Sequence, residues 1–461
     1  MSFDNILCRC CCERSRIWGM LTKEYLMIKI LFSLALMSFV SQAGAAVKIE
    51  EELYVLGQKP EILKELITSG SAEVDHVSSE GFELYGAKGL SKYLDSKNIS
   101  YFDMKSLNKM ALANYPSHAE ITAKLQAAAA KNPKIMKLFS IGNSVKGKEL
   151  WVMKISDNVD KDEVEPEFKY ISSMHGDEIT GREMTVSLIE EIAQKYGSDD
   201  EITELVNNSE IYIMPSMNPD GSERKQRANA NGKDLNRNFP DLKDTNSSSG
   251  RELENQHVMK FQASRKFSLS ANFHGGTIVA NYPWDSTYDR HPLDGFVKEL
   301  SLGYAELNPE MRSSSEFAGG ITNGADWYVV KGGMQDWSCF FYNDLQITLE
   351  VSHTKWPNYR DIPGFYQSNR DSMVHFMKQV HRGAGVNFKR SNISGIVAVK
   401  QLSPISKDLG SYAFSGSEFY KVLPAGEYSF KITEKNKRIN EVKVFVEADK
   451  ISSNGNYTLI D

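Results

Sequence analysis

Apolar and polar positions divide the chain into four stretches of different texture. Residues 30–40 form a short, nearly unbroken apolar run. Between 49 and 102 the pattern changes period repeatedly. It predicts a strand at 52–56, a helix at 60–69 through Ile62, Leu63, Leu66 and Ile67, and a strand at 83–85. A helix at 90–97 and a strand at 99–102 complete a β-α-β-α-β order. A new start follows at Tyr115-Pro116-Ser117, where Ser117 and Glu120 have capping-box spacing before an alanine-rich helix at 121–131. Residues 138–141 and 150–155 alternate around a turn at 145–148, which predicts a hairpin. From 168 onward strands and helices alternate, ending in a helix around 367–380, the order of an α/β domain. Beyond 387 only short strand patterns remain, at 393–399, 412–414, 419–423, 428–432, 442–446 and 457–460. Six strands separated by turn residues predict a small antiparallel sandwich.

Three apolar runs in the α/β stretch end in residues that bind metals or move protons. Residues 168–173 lead into Met174-His175-Gly176-Asp177-Glu178, and 267–273 lead into His274-Gly275-Gly276. Residues 345–349 lead into Glu350. Each run reads as a short buried strand, so these polar groups project from strand ends, the edge at which open α/β sheets bind ligands. Two imidazoles and a carboxylate make a three-ligand zinc site with an open fourth position, and a further glutamate can serve as base. The pattern is that of a zinc hydrolase.

Composition changes this picture little. The chain has 461 residues, 41% hydrophobic and 25% charged, which is ordinary for two or three globular domains. Its formal charge of −6 gives no reason to expect a nucleic-acid partner. Met27-Ile28-Lys29, the apolar run and Ala43-Gly44-Ala45 form a secretory pattern, too short for a permanent membrane span. We therefore expect residues 1–45 to be a leader, with Met27 the true start, and the mature protein to be exported to the periplasm or medium. Four of five cysteines (Cys8, Cys10, Cys11 and Cys12) lie in that leader, with no second cluster to complete a zinc motif. Only Cys339 would remain, so no intramolecular disulfide is expected.

The segment Ala228-Asn229-Ala230-Asn231-Gly232-Lys233-Asp234-Leu235-Asn236-Arg237-Asn238-Phe239-Pro240 gives the constellation a family. With the His-x-x-Glu site, His274-Gly275-Gly276 and Ile347-Thr348-Leu349-Glu350, it resembles the zinc metallocarboxypeptidases, in the branch of carboxypeptidases D, E and N. The resemblance implies a mixed, mostly parallel central sheet flanked by helices over 115–386 and a transthyretin-like β-sandwich over 387–461. Residues 46–114 would then be a small α+β module, either propeptide-like or an ordinary amino-terminal extension. It further implies that His175, Glu178 and His274 hold one Zn2+ and that Asp234 orients the first histidine. Glu350 would be the base acting on a zinc-bound water, and Arg227 would stabilise the oxyanion. Asn236 and Arg237 would grip the terminal carboxylate of the substrate, and Tyr328 would close over it.

Asp285, in Tyr282-Pro283-Trp284-Asp285, stands where relatives preferring basic residues have their determinant, and Gln335 fits the same branch. A buried carboxylate there favours carboxy-terminal Arg or Lys. Asp177 departs from the branch, whose animal members often have asparagine at that position. The expected partner is a peptide or protein carboxy terminus, and the expected state is a monomer. Two other readings stay open: a zinc amidase acting on cell-wall peptides, and an inactive binding protein on the same scaffold.

Overall fold

The computed structural model describes residues 47–57, 59–104, 115–448 and 456–460. The leader expected over 1–45, with its cysteines and cleavage site, lies outside the described residues. No helix among them is long and apolar enough to cross a membrane. The chain divides into two compact units, Met1–Met104 and Lys105–Asp461.

The first unit is a four-stranded antiparallel sheet with two helices. Its strands are β1 (Glu51–Leu56), β2 (Ala72–Asp75), β3 (Gly81–Gly86) and β4 (Tyr101–Asp103), in the order β2-β3-β1-β4. Helix Pro60–Ser69 starts with proline in its first turn and stops at Gly70, whose φ of 63° suits glycine. Leu53, Val55, Leu63, Leu66, Phe82, Leu84 and Leu94 fill a core of the unit's own. Strand β2 was not foreseen, because Ala-Glu-Val-Asp holds one good strand former.

The second unit is built on an eight-stranded sheet. In chain order its strands are β5 (Met136–Asn143), β6 (Glu149–Ile155), β7 (Glu167–Ser172) and β8 (Glu210–Met214). They are followed by β9 (Phe267–His274), β10 (Ile278–Tyr282), β11 (Ile321–Asn323) and β12 (Leu345–Val351). Their spatial order is β11-β10-β12-β9-β7-β8-β6-β5. Pairs β10/β11, β9/β12, β7/β9 and β7/β8 are parallel, and the other three are antiparallel. The sheet is thus mixed and mostly parallel, as expected. Helix His118–Lys131 begins at Ser117 with the capping box in place.

Strands β9 and β12 sort their residues by face. Leu269, Ala271 and Phe273, with Leu345, Ile347 and Leu349, enter one large apolar core with helices Thr180–Lys195, Asp294–Leu307 and Ile362–Lys378. Ser268, Ser270, Asn272 and His274 alternate with them, as do Gln346, Thr348 and Glu350 in β12, and all are buried. The register pairs Gln346 with Ser270, Thr348 with Asn272 and Glu350 with His274. A polar ladder results, in which Asn272 Nδ2 donates to Gln346 Oε1 (3.0 Å) and Gln346 Nε2 donates to Ser270 Oγ (2.8 Å). Its far end is anchored by the buried Lys169–Asp344 pair. Beyond the ladder, on the same side, Ile171, Met214, Val258, Phe261 and Trp337 form a second core.

The carboxy-terminal stretch carries the six foreseen strands and a seventh, β13 (Gly383–Phe388), whose Gly-Ala-Gly opening resembles a turn in sequence. The others are β14 (Ile393–Ser403), β15 (Lys407–Gly416), β16 (Glu418–Val422), β17 (Gly426–Glu434), β18 (Ile439–Val446) and β19 (Tyr457–Ile460). They form sheets β16-β13-β19 and β15-β14-β17-β18. Val397, Phe419, Tyr428 and Phe430 lie between them, in a core continuous with that of the eight-stranded sheet.

Candidate metal centre

Strand β7 stops at Ser172, and Ser173 takes a left-handed conformation (φ 50°) that turns the chain. Ser173 Oγ donates to the carbonyl of Glu178 (3.1 Å), and the Asn218 amide bonds the Ser173 carbonyl (2.9 Å). Asn218 Nδ2 also donates to the carbonyls of Met174 and Arg227, both at 3.1 Å. Gly176 is required, because a Cβ there would fall 2.2 Å from the Gly221 carbonyl carbon. The turn presents His175 and Glu178 together, and His274 reaches them from the end of β9.

The three donor atoms form a closed triangle. His175 Nδ1 lies 3.0 Å from Glu178 Oε2 and 3.0 Å from His274 Nδ1, and His274 Nδ1 lies 2.7 Å from Glu178 Oε2. Ligand atoms on a tetrahedral zinc stand roughly 3.3 Å apart, given metal–ligand lengths near 2.0–2.1 Å. His175 Nε2 is 3.0 Å from Asp234 Oδ1. A carboxylate only accepts, so Nε2 carries a proton, and Nδ1 is the nitrogen turned to the triangle that could offer a lone pair to a metal. Two imidazoles and a carboxylate, one ring braced by a second carboxylate, are a donor set that fits zinc.

The electrostatics fit as well. Burial and the Arg227 guanidinium oppose charge on His175, yet Glu178 and Asp234 outweigh them and raise it to about 9. Burial pushes Glu178 up, but His175, Lys355 and His274 hold it well below the usual carboxylate range. Asp234 is likewise pushed up by burial and held far down by Arg227 and His175. A site that retains a proton on a buried imidazole favours positive charge, and a metal ion competes for that same position.

The neighbouring residues converge by strand register and by a tight turn. Glu350 is 4% exposed and sits beside His274 on the adjacent strand, where strands are about 4.8 Å apart. Arg227 is fully buried; its Nε donates to Asp234 Oδ2 (2.8 Å) and its Nη1 to Glu178 Oε1 (3.3 Å). Asp234 caps the short 3₁₀ turn Leu235–Arg237 by accepting the Asn236 amide (2.7 Å). Asn236 Nδ2 reaches within 3.5 Å of His274 Nε2, and its Oδ1 accepts the Met334 amide (2.9 Å). Arg237 Nη1 donates to the Asn236 carbonyl (3.2 Å).

Asp285 lies past the end of β10. Its Oδ1 accepts from Gln335 Nε2 (2.9 Å) and Asn281 Nδ2 (3.0 Å). Gly324 packs tightly beside it, since a Cβ there would sit 2.9 Å from the Asp285 Cα and would displace that oxygen. Gly333 is the meeting point of two groups: a Cβ there would be 3.6 Å from Asn236 Oδ1 and 3.8 Å from Asp285 Oδ2. Tyr328 is half-buried just after helix Gly324–Trp327, its ring edge-on to Trp327 at 5 Å or less (4.7 Å).

Sequence reasoning missed Lys355, whose Nζ lies 3.3 Å from Glu178 Oε1. A lone lysine in a loop carries no signal of such a contact. It also missed Asn281 and Asp336, although Asn281 stands four residues before Asp285 and Asp336 directly follows Gln335.

Comparison with known proteins gives concordant findings. Residues 121–372, more than half of the chain, match the sequence profile described as zinc carboxypeptidase. Carboxypeptidase D of Homo sapiens is 39% identical over 345 residues, which cover 69% of this chain and 25% of that protein. The chain therefore spans about a quarter of that relative's length. Carboxypeptidase M of Mus musculus is 36% identical over 352 residues, covering 69% of this chain and 78% of that protein. The crystal structure of a carboxypeptidase A from Helicoverpa armigera shares the fold, with a TM-score of 0.56 at 17% identity over 73% of this chain and 98% of that one.

Proposed function

The chain belongs to the zinc carboxypeptidase family, and on that premise we propose that it hydrolyses the carboxy-terminal peptide bond of peptides or proteins, preferring terminal Arg or Lys. The observation that carries this reading is the triangle of donors from His175, Glu178 and His274, closed to 2.7–3.0 Å and backed by Asp234. These three residues would hold the metal. Zinc bound there supplies a Lewis acid that acidifies water and polarises the scissile carbonyl.

The remaining roles fall to side chains of this chain. Glu350 takes a proton from the attacking water and returns it to the leaving amine. Arg227 keeps Asp234 and Glu178 in place and brings positive charge toward the developing oxyanion. Arg237 grips the terminal carboxylate through its planar fork, with Asn236 beside it. Tyr328 closes over the bound terminus.

The preference for a basic residue is supported by the surroundings of Asp285. Gln335 Oε1 and Asn281 Oδ1 are buried acceptors with no donor in reach among the described residues. A guanidinium or ammonium group brings the donors they lack, whereas an aromatic side chain would leave them unsatisfied. We read residues 115–386 as the catalytic domain, 387–461 as a transthyretin-like sandwich and 46–114 as a propeptide-like module. We further propose an exported monomer with no nucleic-acid partner.

Peptides ending in Arg, Lys, Phe or D-Ala, followed by mass spectrometry with and without a chelator, test the proposal. Loss of a single Arg or Lys, stopped by chelation and restored by zinc, is expected. Release of D-Ala in preference would favour the cell-wall reading. No release from any peptide by zinc-loaded protein would favour a binding protein.

A further inference from the structure

Asp336 stands in the first turn of helix Met334–Phe341, directly after Gln335, and is 3% exposed. An acid at the third position of a helix commonly folds back on its own amino-terminal amides. Asp336 bonds a different loop. Its Oδ1 accepts the Asp285 amide (2.8 Å), and its Oδ2 accepts the Ser286 amide (2.9 Å) and the Ser286 hydroxyl (2.6 Å). One helical turn therefore holds Asp285 twice, by its side chain through Gln335 and by its backbone through Asp336.

We propose that Asp336 is a positioning and specificity residue of the terminal side-chain pocket, clamping the Asp285–Ser286 backbone and adding a second negative charge that a cationic side chain offsets. The inference rests on the assignment of Asp285 to that pocket.

Asp285 and Asp336 are both buried and their charges repel, which penalises an empty or neutral-filled pocket and rewards a cation, so discrimination acts in both directions. Burial, and next the charge of Asp336, push Asp285 well above the usual carboxylate range. Burial raises Asp336 to about 6 against the lowering effect of its three donors. The other groups facing the pair are Asp241, which adds negative charge beside Asp336, and Arg237, which favours the charged form of Asp285. Lys331 partly offsets Asp241, and Cys339 on the same helix is kept a neutral thiol by burial. Two interacting acids lose their protons in steps that belong to the pair. As pH falls the pair gains a proton, and its attraction for a basic side chain weakens.

The test is KM and kcat for matched peptides ending in Arg and in Phe, from pH 5 to 8, for zinc-loaded wild type, Asp336→Asn and Ser286→Ala. In the wild type, KM for the Arg peptide should rise toward the acid end of that range while KM for the Phe peptide stays flat. Asp336→Asn should raise KM for the Arg peptide about tenfold at pH 7.5, the scale of one charge interaction at several ångströms in a partly screened site. KM for the Phe peptide should change far less, and the Arg peptide's pH dependence should flatten. Ser286→Ala keeps both carboxylates and removes one donor to the charged form, so it should move the wild-type rise to higher pH. Equal losses for both peptides, or an unmoved pH profile in Ser286→Ala, would overturn the role of Asp336. A wild type that prefers the Phe peptide would instead sink the basic preference itself.

Discussion

The polar face of strands β9 and β12 and the outer face of the carboxy-terminal sheets solve the same problem in opposite ways. Both regions alternate apolar and polar residues with period two. In β17, Tyr428, Phe430 and Ile432 point into the core, and Lys431 and Thr433 go to solvent. In β9 and β12 the alternate residues are buried as well, and each must find a partner inside the protein. Asn272 donates to Gln346 and Gln346 donates to Ser270, while His274 joins the triangle of donor atoms with His175 and Glu178. A strand that can send its polar side chains to water has no need of such a network. A strand that buries them holds charged groups rigidly in low dielectric, where they are potent. The same apolar core runs behind both regions, so the difference lies in the polar faces alone.

Four substitutions would break or sharpen that contrast. The largest effect is expected from Glu350→Gln, which should lower kcat on the order of 10³-fold or more while metal analysis finds zinc still bound. Turnover near the wild-type rate would remove Glu350 from the chemistry. Phe430→Ala should destabilise the fold by about 3–5 kcal/mol, as buried aromatic truncations do. Denaturant titration would read this loss, and kcat/KM of the folded fraction should not move. Arg237→Lys should cost roughly a hundredfold in kcat/KM, mostly in KM, because a lysine cannot form the two-pronged carboxylate contact. Ser117→Ala removes the helix cap and should cost about 1 kcal/mol of stability, visible as a lowered melting temperature with activity intact.

A metal-binding comparison completes the set. Asp234→Asn should weaken zinc affinity by about ten- to a hundredfold, measured by competition with a chelator of known strength. Unchanged affinity would reduce Asp234 to a partner of Arg227.

Much of this arrangement was legible because its signals are local. The capping box at Ser117, the strands before His175 and His274, and the polar endings of those strands all follow from neighbours in sequence. That His175, Glu178 and His274 come together was readable only because several short motifs occur in one order. What escaped depends on contacts between distant segments. Lys355 approaches Glu178 across 177 positions of chain, and Asp336 reaches Asp285 by backbone amides, which carry no residue-type signature. Strand β13 was hidden by its two glycines, chosen by close packing: a Cβ at Gly383 would lie 2.2 Å from the Lys421 carbonyl oxygen.

The pairing of Glu350 with His274 has a consequence for how this protein fails. A strand's side-chain period is two, so shifting β12 by a single position would turn the carboxylate toward the apolar core and set a leucine or a valine beside His274. A molecule with that slip would be silent, with no altered chemistry to betray it. Specific activity in the proposed hydrolysis would then report the fraction of copies that had closed their sheet in the right register.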